Sequence, residues 1–141
     1  MKSSCLLHRL WKKNKKTPVN VLVVDDELSS RTVLSNFLSG SDYHCQTAEN
    51  GKQALELLQS NPKQFDVIIL DRLMPYMSGL ELLKEMHRVP ALQRIPVIML
   101  TGMGEKDDII DAIEAGVFDY LTKPVEKELL LNLIDRALKT S

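Results

Sequence analysis

Three segments of this chain are apolar at nearly every position instead of every second one: Val19–Val24, Phe65–Leu70 and Ile95–Leu100. A strand with one wet face alternates apolar and polar residues, whereas a strand covered on both faces has no reason to alternate. Two shorter strands are expected at Tyr43–Thr47 and Val117–Leu121. Helical spacing fills the gaps. Ser29–Ser39 carries Val33, Leu34, Phe37 and Leu38, and Gly40 stops it. Asn50 can cap a helix with Ala54, Leu55, Leu57 and Leu58 that ends before Pro62. Ser78–Arg88 places Leu80, Leu83 and Met86 on one face, and Lys106–Ala115 points Ile109, Ile110 and Ile113 inward. Glu126–Leu138 closes the series with a stripe of Leu129, Leu130, Leu133, Ile134 and Ala137. Crossovers of this length make the strands parallel, and helices must then cover both sheet faces. The pattern predicts one doubly wound α/β domain with five parallel strands and five flanking helices.

At 141 residues, with 44% hydrophobic and 26% charged side chains, the chain suits one ordinary domain and neither a disordered nor a disulfide-built one. No apolar run approaches the roughly 20 residues of a membrane span. The net charge of −1 conceals an asymmetry. Residues 1–18 hold six basic and no acidic side chains, and the remainder holds 12 basic and 19 acidic ones. An acidic domain has no broad basic face for nucleic acid, so no direct nucleic-acid binding is expected of it.

The basic head, residues 1–18, reads as a solvated extension ahead of a domain spanning 19–141, with Pro18 at the boundary. The alternative is a short amphipathic helix, with Leu6, Leu7, Leu10 and Trp11 on one side, touching an anionic membrane or an acidic partner. The apolar stretch Cys5-Leu6-Leu7 stops at His8, too short for a secretory signal. Cys5 and Cys45 form no metal-binding pattern, and a cytoplasmic setting is the expectation. His44 and Cys45 are neighbours on a strand and point to opposite faces, so they cannot share a metal. His87, among Lys84, Glu85 and Arg88, reads as a surface residue.

In open parallel sheets, ligands bind outside the carboxyl ends of the strands. The first strand ends in Asp25-Asp26-Glu27, the third in Asp71, the fourth in Thr101-Gly102, and Lys123-Pro124 follows the fifth. Each alone is bland: a strand-end Asp is usually a cap or a solvated acid, and Thr101 a turn hydroxyl. Together they crowd three carboxylates with one ammonium. Ionised Asp25, Asp26 and Asp71 repel one another unless a cation joins them, and an all-oxygen donor set favours Mg²⁺ or Mn²⁺. Lys123 and Thr101 then offer donors to a phosphoryl group, and Asp71 can accept it as a carboxylate nucleophile.

At these residues the chain resembles the receiver domain of two-component response regulators, close to chemotaxis-type regulators, from Val19 to about Lys139. The resemblance rests on Val21-Leu22-Val23-Val24-Asp25-Asp26-Glu27, Ala48-Glu49-Asn50-Gly51-Lys52-Gln53-Ala54-Leu55 and Asp66-Val67-Ile68-Ile69-Leu70-Asp71-Arg72-Leu73-Met74-Pro75. It continues through Met77-Ser78-Gly79, Pro96-Val97-Ile98-Met99-Leu100-Thr101 and Ala115-Gly116-Val117-Phe118-Asp119-Tyr120-Leu121-Thr122-Lys123-Pro124. It implies a flavodoxin-like fold with strand order 2-1-3-4-5. It also implies Asp71 as phospho-acceptor, Asp25, Asp26, Asp71 and the main-chain carbonyl of Leu73 as the Mg²⁺ site, and Thr101 with Tyr120 as the switch pair. Lys123 becomes the phosphate-binding lysine, joined to Pro124 by a cis bond.

The implied function is a phosphorylation-dependent switch in a phosphorelay, not an enzyme with turnover: only self-catalysed phosphoryl acceptance is expected. The implied partners are a sensor histidine kinase or histidine phosphotransfer protein, a downstream effector or output domain, and a second copy on phosphorylation. The chain can equally be a receiver module of a larger regulator or hybrid kinase. Leu73 and Met103 hold the family positions that flank the attacking water, and neither can orient it, which implies slow self-dephosphorylation.

Two rivals fit less well. Aspartyl-phosphate phosphatases carry a second Asp two positions after the nucleophile, where this chain has Leu73. A flavodoxin-like nucleotide carrier needs an anion-cradling first loop, and Asp25-Asp26-Glu27 would repel phosphate.

Overall fold

The computed structural model describes residues 17–102 and 106–140. The basic head through residue 16, and Met103, therefore lie outside the described residues. Five strands, β1 Val19–Val24, β2 Tyr43–Ala48, β3 Val67–Asp71, β4 Val97–Thr101 and β5 Asp119–Thr122, form one sheet in the order β2-β1-β3-β4-β5. Every pairing is parallel. Helices α1 Leu28–Phe37, α2 Gly51–Ser60, α3 Gly79–His87, α4 Lys106–Glu114 and α5 Lys127–Thr140 connect and close them, with a short 3₁₀ turn at Pro90–Leu92. The doubly wound order anticipated from the sequence is the order observed.

The absence of alternation in the central strands has its expected cause. Leu22, Val24, Ile68, Leu70, Val97 and Met99 face a core shared with α2, α3 and α4, through Ala54, Leu58, Leu82, Leu83, Met86 and Ala112. The intervening Val21, Val23, Val67, Ile69, Ile98 and Leu100 face α1 and α5, through Leu34, Leu38, Leu130, Leu133, Ile134 and Ala137. Fully burying one such aliphatic side chain contributes about 1.5–3 kcal/mol, so two cores on one sheet dominate the stability. Local chemistry sets the helix starts. Asn50 Oδ1 accepts from the Gln53 N–H at 2.8 Å, and Ser78 Oγ accepts from the Glu81 N–H at 3.2 Å.

Several details differ from the sequence expectation. In α4, Ile110 and Ile113 are 53% and 58% exposed, and among the described side chains the buried one is Ala112. Residues 109 and 112 share one helical face and 110 and 113 another. This helix packs on β4 and the edge strand β5, so only its narrow stripe is covered. Leu82 replaces Leu80 as a fully buried contact of α3, while Val33 and Leu129 stay half-exposed. The strand β5 starts at Asp119 and not at Val117, because the Gly116 and Val117 N–H groups close the end of α4 on the Ile113 and Ala112 carbonyls. Gly116 adopts φ +93°, where any side chain would be strained and would meet the His87 ring. His87 is exposed, as its surroundings in sequence suggested. Strands β3 and β4 each begin and end later than expected, so Asp71 and Thr101 are the last rungs of the ladder and not the first loop residues.

Candidate functional site

Strand ends bring the acids together. Asp25 is fully buried; its Oδ1 accepts from the Glu27 N–H at 2.9 Å, and its main-chain carbonyl accepts from Arg31 Nη1 at 2.8 Å. Arg31 also stands 3.9 Å from Glu49 and so ties the end of β1 to the segment between β2 and α2. Asp26 is exposed and Asp71 is 5% exposed. Carboxylate oxygens of Asp25, Asp26 and Asp71 lie within 4.8 Å of one another. Lys123 Nζ stands 3.1 Å from Asp71 Oδ1 and 3.4 Å from Asp25 Oδ2, and the Lys123–Pro124 bond is cis.

The charges are unbalanced. Burial pushes the Asp71 carboxyl from an ordinary 3.8 up to about 6, and Asp25 adds to this; Lys123 pulls back, and Asp26 raises it again. For Lys123 burial opposes the charged form, yet Asp71 and Asp25 outweigh it and hold its pKa above the ordinary lysine value. One ammonium thus does not compensate three carboxylates. The Thr101 hydroxyl, 1% exposed, has no hydrogen-bond partner among the described residues. A surplus of buried negative charge beside an unused hydroxyl suits a divalent cation and an oxyanion together.

Main-chain packing fixes Asp71. Asp71 pairs with Leu100 across the ladder, and the Gly79 N–H donates to the Arg72 carbonyl at 2.9 Å. A Cβ at Gly79 would stand 2.5 Å from the Asp71 carbonyl oxygen, so only glycine permits α3 to start this close to β3. Leu73 follows in the β3–α3 loop with its side chain 63% exposed. Tyr120 lies on the edge strand, half-buried, beside an open cavity of about 620 Å³ also lined by Asp119, Leu129 and Arg136. His44 is exposed while Cys45 turns in toward Ser35, as expected for strand neighbours.

The site residues anticipated from sequence at the strand ends, Asp25, Asp26, Asp71, Thr101 and Lys123, thus converge on one edge of the sheet. Arg31 and Arg72 were not anticipated. Arg31 did leave a signal: a cation near a helix N-terminus is unfavourable unless it has a tertiary partner.

Residues 21–135 match the family model described as the response regulator receiver domain. The chain belongs to this family. Against curated relatives, the receiver domain is 43% identical over 119 residues to the DNA-binding transcriptional regulator NtrC of Escherichia coli, covering 84% of this chain and 24% of that protein. It is 34% identical over 123 residues to the 3′,5′-cyclic-nucleotide phosphodiesterase regA of Dictyostelium discoideum, covering 86% of this chain and 16% of that protein. The chain therefore spans a quarter or less of the length of these relatives. Among solved structures, the Vibrio cholerae chemotaxis protein CheY4 superposes with a TM-score of 0.78 at 34% identity, over 86% of this chain and 99% of that one. A receiver-domain protein from Clostridium thermocellum gives a TM-score of 0.80 at 32% identity, over 86% of this chain and 95% of that one. A receiver domain of response regulators in two-component systems is a signalling module, and receiver domains bind Mg²⁺ at an acidic pocket of the kind built here by Asp25, Asp26 and Asp71. No helix among the described residues is long and apolar enough to cross a membrane.

Proposed function

We propose that this receiver domain accepts a phosphoryl group on Asp71 from a phosphohistidine of a sensor histidine kinase or histidine phosphotransfer protein. The observation that carries the reading is the buried Asp71 carboxylate, 3.1 Å from Lys123 and clustered with Asp25 and Asp26. With its pKa at about 6, Asp71 is mostly ionised at neutral pH and available as a nucleophile. One carboxylate oxygen attacks phosphorus, the phosphorus–nitrogen bond breaks, and the imidazole departs with the electron pair. Asp25, Asp26, Asp71 and the main-chain carbonyl of Leu73 would hold Mg²⁺, which when bound neutralises the acids and the incoming phosphoryl oxygens. Lys123 exchanges its contact with Asp71 for a phosphoryl oxygen. Thr101 turns its unpartnered hydroxyl to another, and Tyr120 follows into the space that Thr101 leaves.

The switch then acts on a downstream effector or output domain, or by pairing with a second copy, through the face of α4, β5 and α5 where Ile110, Ile113 and Leu129 are exposed. The domain itself neither turns over substrate nor contacts nucleic acid, and works in the cytoplasm; residues 1–18 form an extension to a domain of residues 19–141. The Leu73 side chain offers no polar atom to an attacking water, which supports slow self-dephosphorylation. Incubation with acetyl phosphate and Mg²⁺ should add one phosphoryl group by intact mass, absent in Asp71→Asn and with EDTA. Labelling that persists in Asp71→Asn would move the acceptor elsewhere.

A further inference from the structure

Arg72 follows the acceptor by one position, so its side chain leaves the strand on the opposite face. Leu70, two positions earlier, faces the core under α2, α3 and α4, and Arg72 continues on that side. There its Nη2 stands 3.7 Å from Asp111 Oδ2 on α4. The Arg72 side chain is 14% exposed and that of Asp111 52%. The Arg72 main chain is fixed on both sides: its N–H donates to the Leu100 carbonyl at 3.0 Å, and its carbonyl accepts from the Gly79 N–H at 2.9 Å. The cation is thus anchored to the acceptor strand, and the anion rides on the helix that follows Thr101.

We propose that the Arg72–Asp111 ion pair is a latch holding α4 in its unphosphorylated position, and that phosphorylation at Asp71 acts against it. The proposal rests on the phosphorylation switch described above. Its physical basis is the weak seating of α4. Among its described side chains Ala112 is the fully buried one and Ile109 is half-buried, while the larger Ile110 and Ile113 face outward, so apolar packing holds the helix by a narrow stripe. Where packing is thin, one partly buried charge pair can bias the position. A latch that favours the inactive arrangement lowers the fraction of binding-competent protein, and the apparent affinity for a phosphoryl group falls by the same factor.

The test uses the full chain and beryllofluoride with Mg²⁺ as the phosphoryl mimic. Binding is followed by the amide signals of Ile109, Ala112 and Tyr120 in NMR titrations. Asp111→Asn is nearly isosteric at a half-exposed position, and should bind about two- to fivefold more tightly than the wild type. Asp111→Lys, which adds repulsion to Arg72, should bind more tightly still. Arg72→Gln should also bind more tightly than the wild type, and Asp111→Asn should then have a smaller effect in the Arg72→Gln background than on its own. Raising the salt concentration should narrow the gap between wild type and Asp111→Asn, because the exposed side of the pair is screened. Equal affinities for wild type, Asp111→Asn and Asp111→Lys at low salt, or additive effects in the double variant, would overturn the latch and leave the switch standing. Failure of the wild type to bind beryllofluoride would overturn the switch and the latch with it.

Discussion

Replacing Asp71 with Asn should make the metal-free protein more stable at neutral pH. The reason is that the folded protein holds this carboxylate in a place that resists its charge. Its pKa rises from 3.8 to about 6, through burial first and Asp25 second. A difference of about two pH units at about 1.4 kcal/mol each sets a ceiling of about 3 kcal/mol. Asparagine keeps the shape and removes the charge, but Lys123 then loses its 3.1 Å charged partner and keeps Asp25, at 3.4 Å. The net gain at pH 7.5 should therefore be about 1–2 kcal/mol. The pH dependence carries the sharper signature. Because the folded pKa is the higher one, between about pH 4 and pH 6 the native state binds more protons than the unfolded state, and this group's contribution to stability falls as pH rises. Below that window Asp71 is protonated in both states and the charge term disappears. The gap between variant and wild type should open across the window and stay constant above it. Urea unfolding followed by circular dichroism in EDTA, at several pH values from 4 to 7.5, measures it. A gap that does not change with pH, or a variant less stable than wild type at pH 7.5, would refute the reasoning. Mg²⁺ at a hundred times its dissociation constant should return about 2.7 kcal/mol to the wild type and close or reverse the gap.

Gly79→Ala should destabilise the fold by about 1–3 kcal/mol, since the new Cβ meets main-chain atoms of Asp71 and Arg72 that cannot swing aside, and labelling by acetyl phosphate should slow about tenfold or more. Urea midpoints and labelling rates read the two effects. Thr101→Val replaces the buried hydroxyl, which lacks a partner among the described residues, with a methyl group of similar shape; it should leave the unphosphorylated protein as stable or about 1 kcal/mol more stable. The same change should shrink the Tyr120 NMR shift on beryllofluoride binding, and a full-sized shift would mean that another group carries the signal.

The candidate site residues were legible because they sit where local patterns end. Asp25, Asp71 and Thr101 each terminate an apolar run, and a parallel sheet aligns such ends along one edge whatever the loop lengths. The helices were legible as elements, since their spacing and the Asn50 and Ser78 caps are local signals. Which of their apolar residues would be buried was less so. Ile110 and Ile113 read as inward until the position of α4 over β4 and β5 assigns that role to Ala112.

By itself, the sequence determined the class of fold and the set of residues at the carboxyl edge of the sheet, because runs that do not alternate demand two-sided cover and parallel strands share a direction. The tertiary structure alone decided what those residues meet. Lys123 stands 98 positions from Asp25 in the chain, and only the register of β4 against β5 brings its Nζ to 3.4 Å from that carboxylate. The Arg31 bond to the Asp25 carbonyl, the Arg72 pairing with Asp111 and the approach of Gly79 to Asp71 are likewise decided there. Periodicity records which face of an element avoids water; it carries no record of which element arrives to cover that face, because that depends on strand order, register and the distances they impose between residues far apart in the chain.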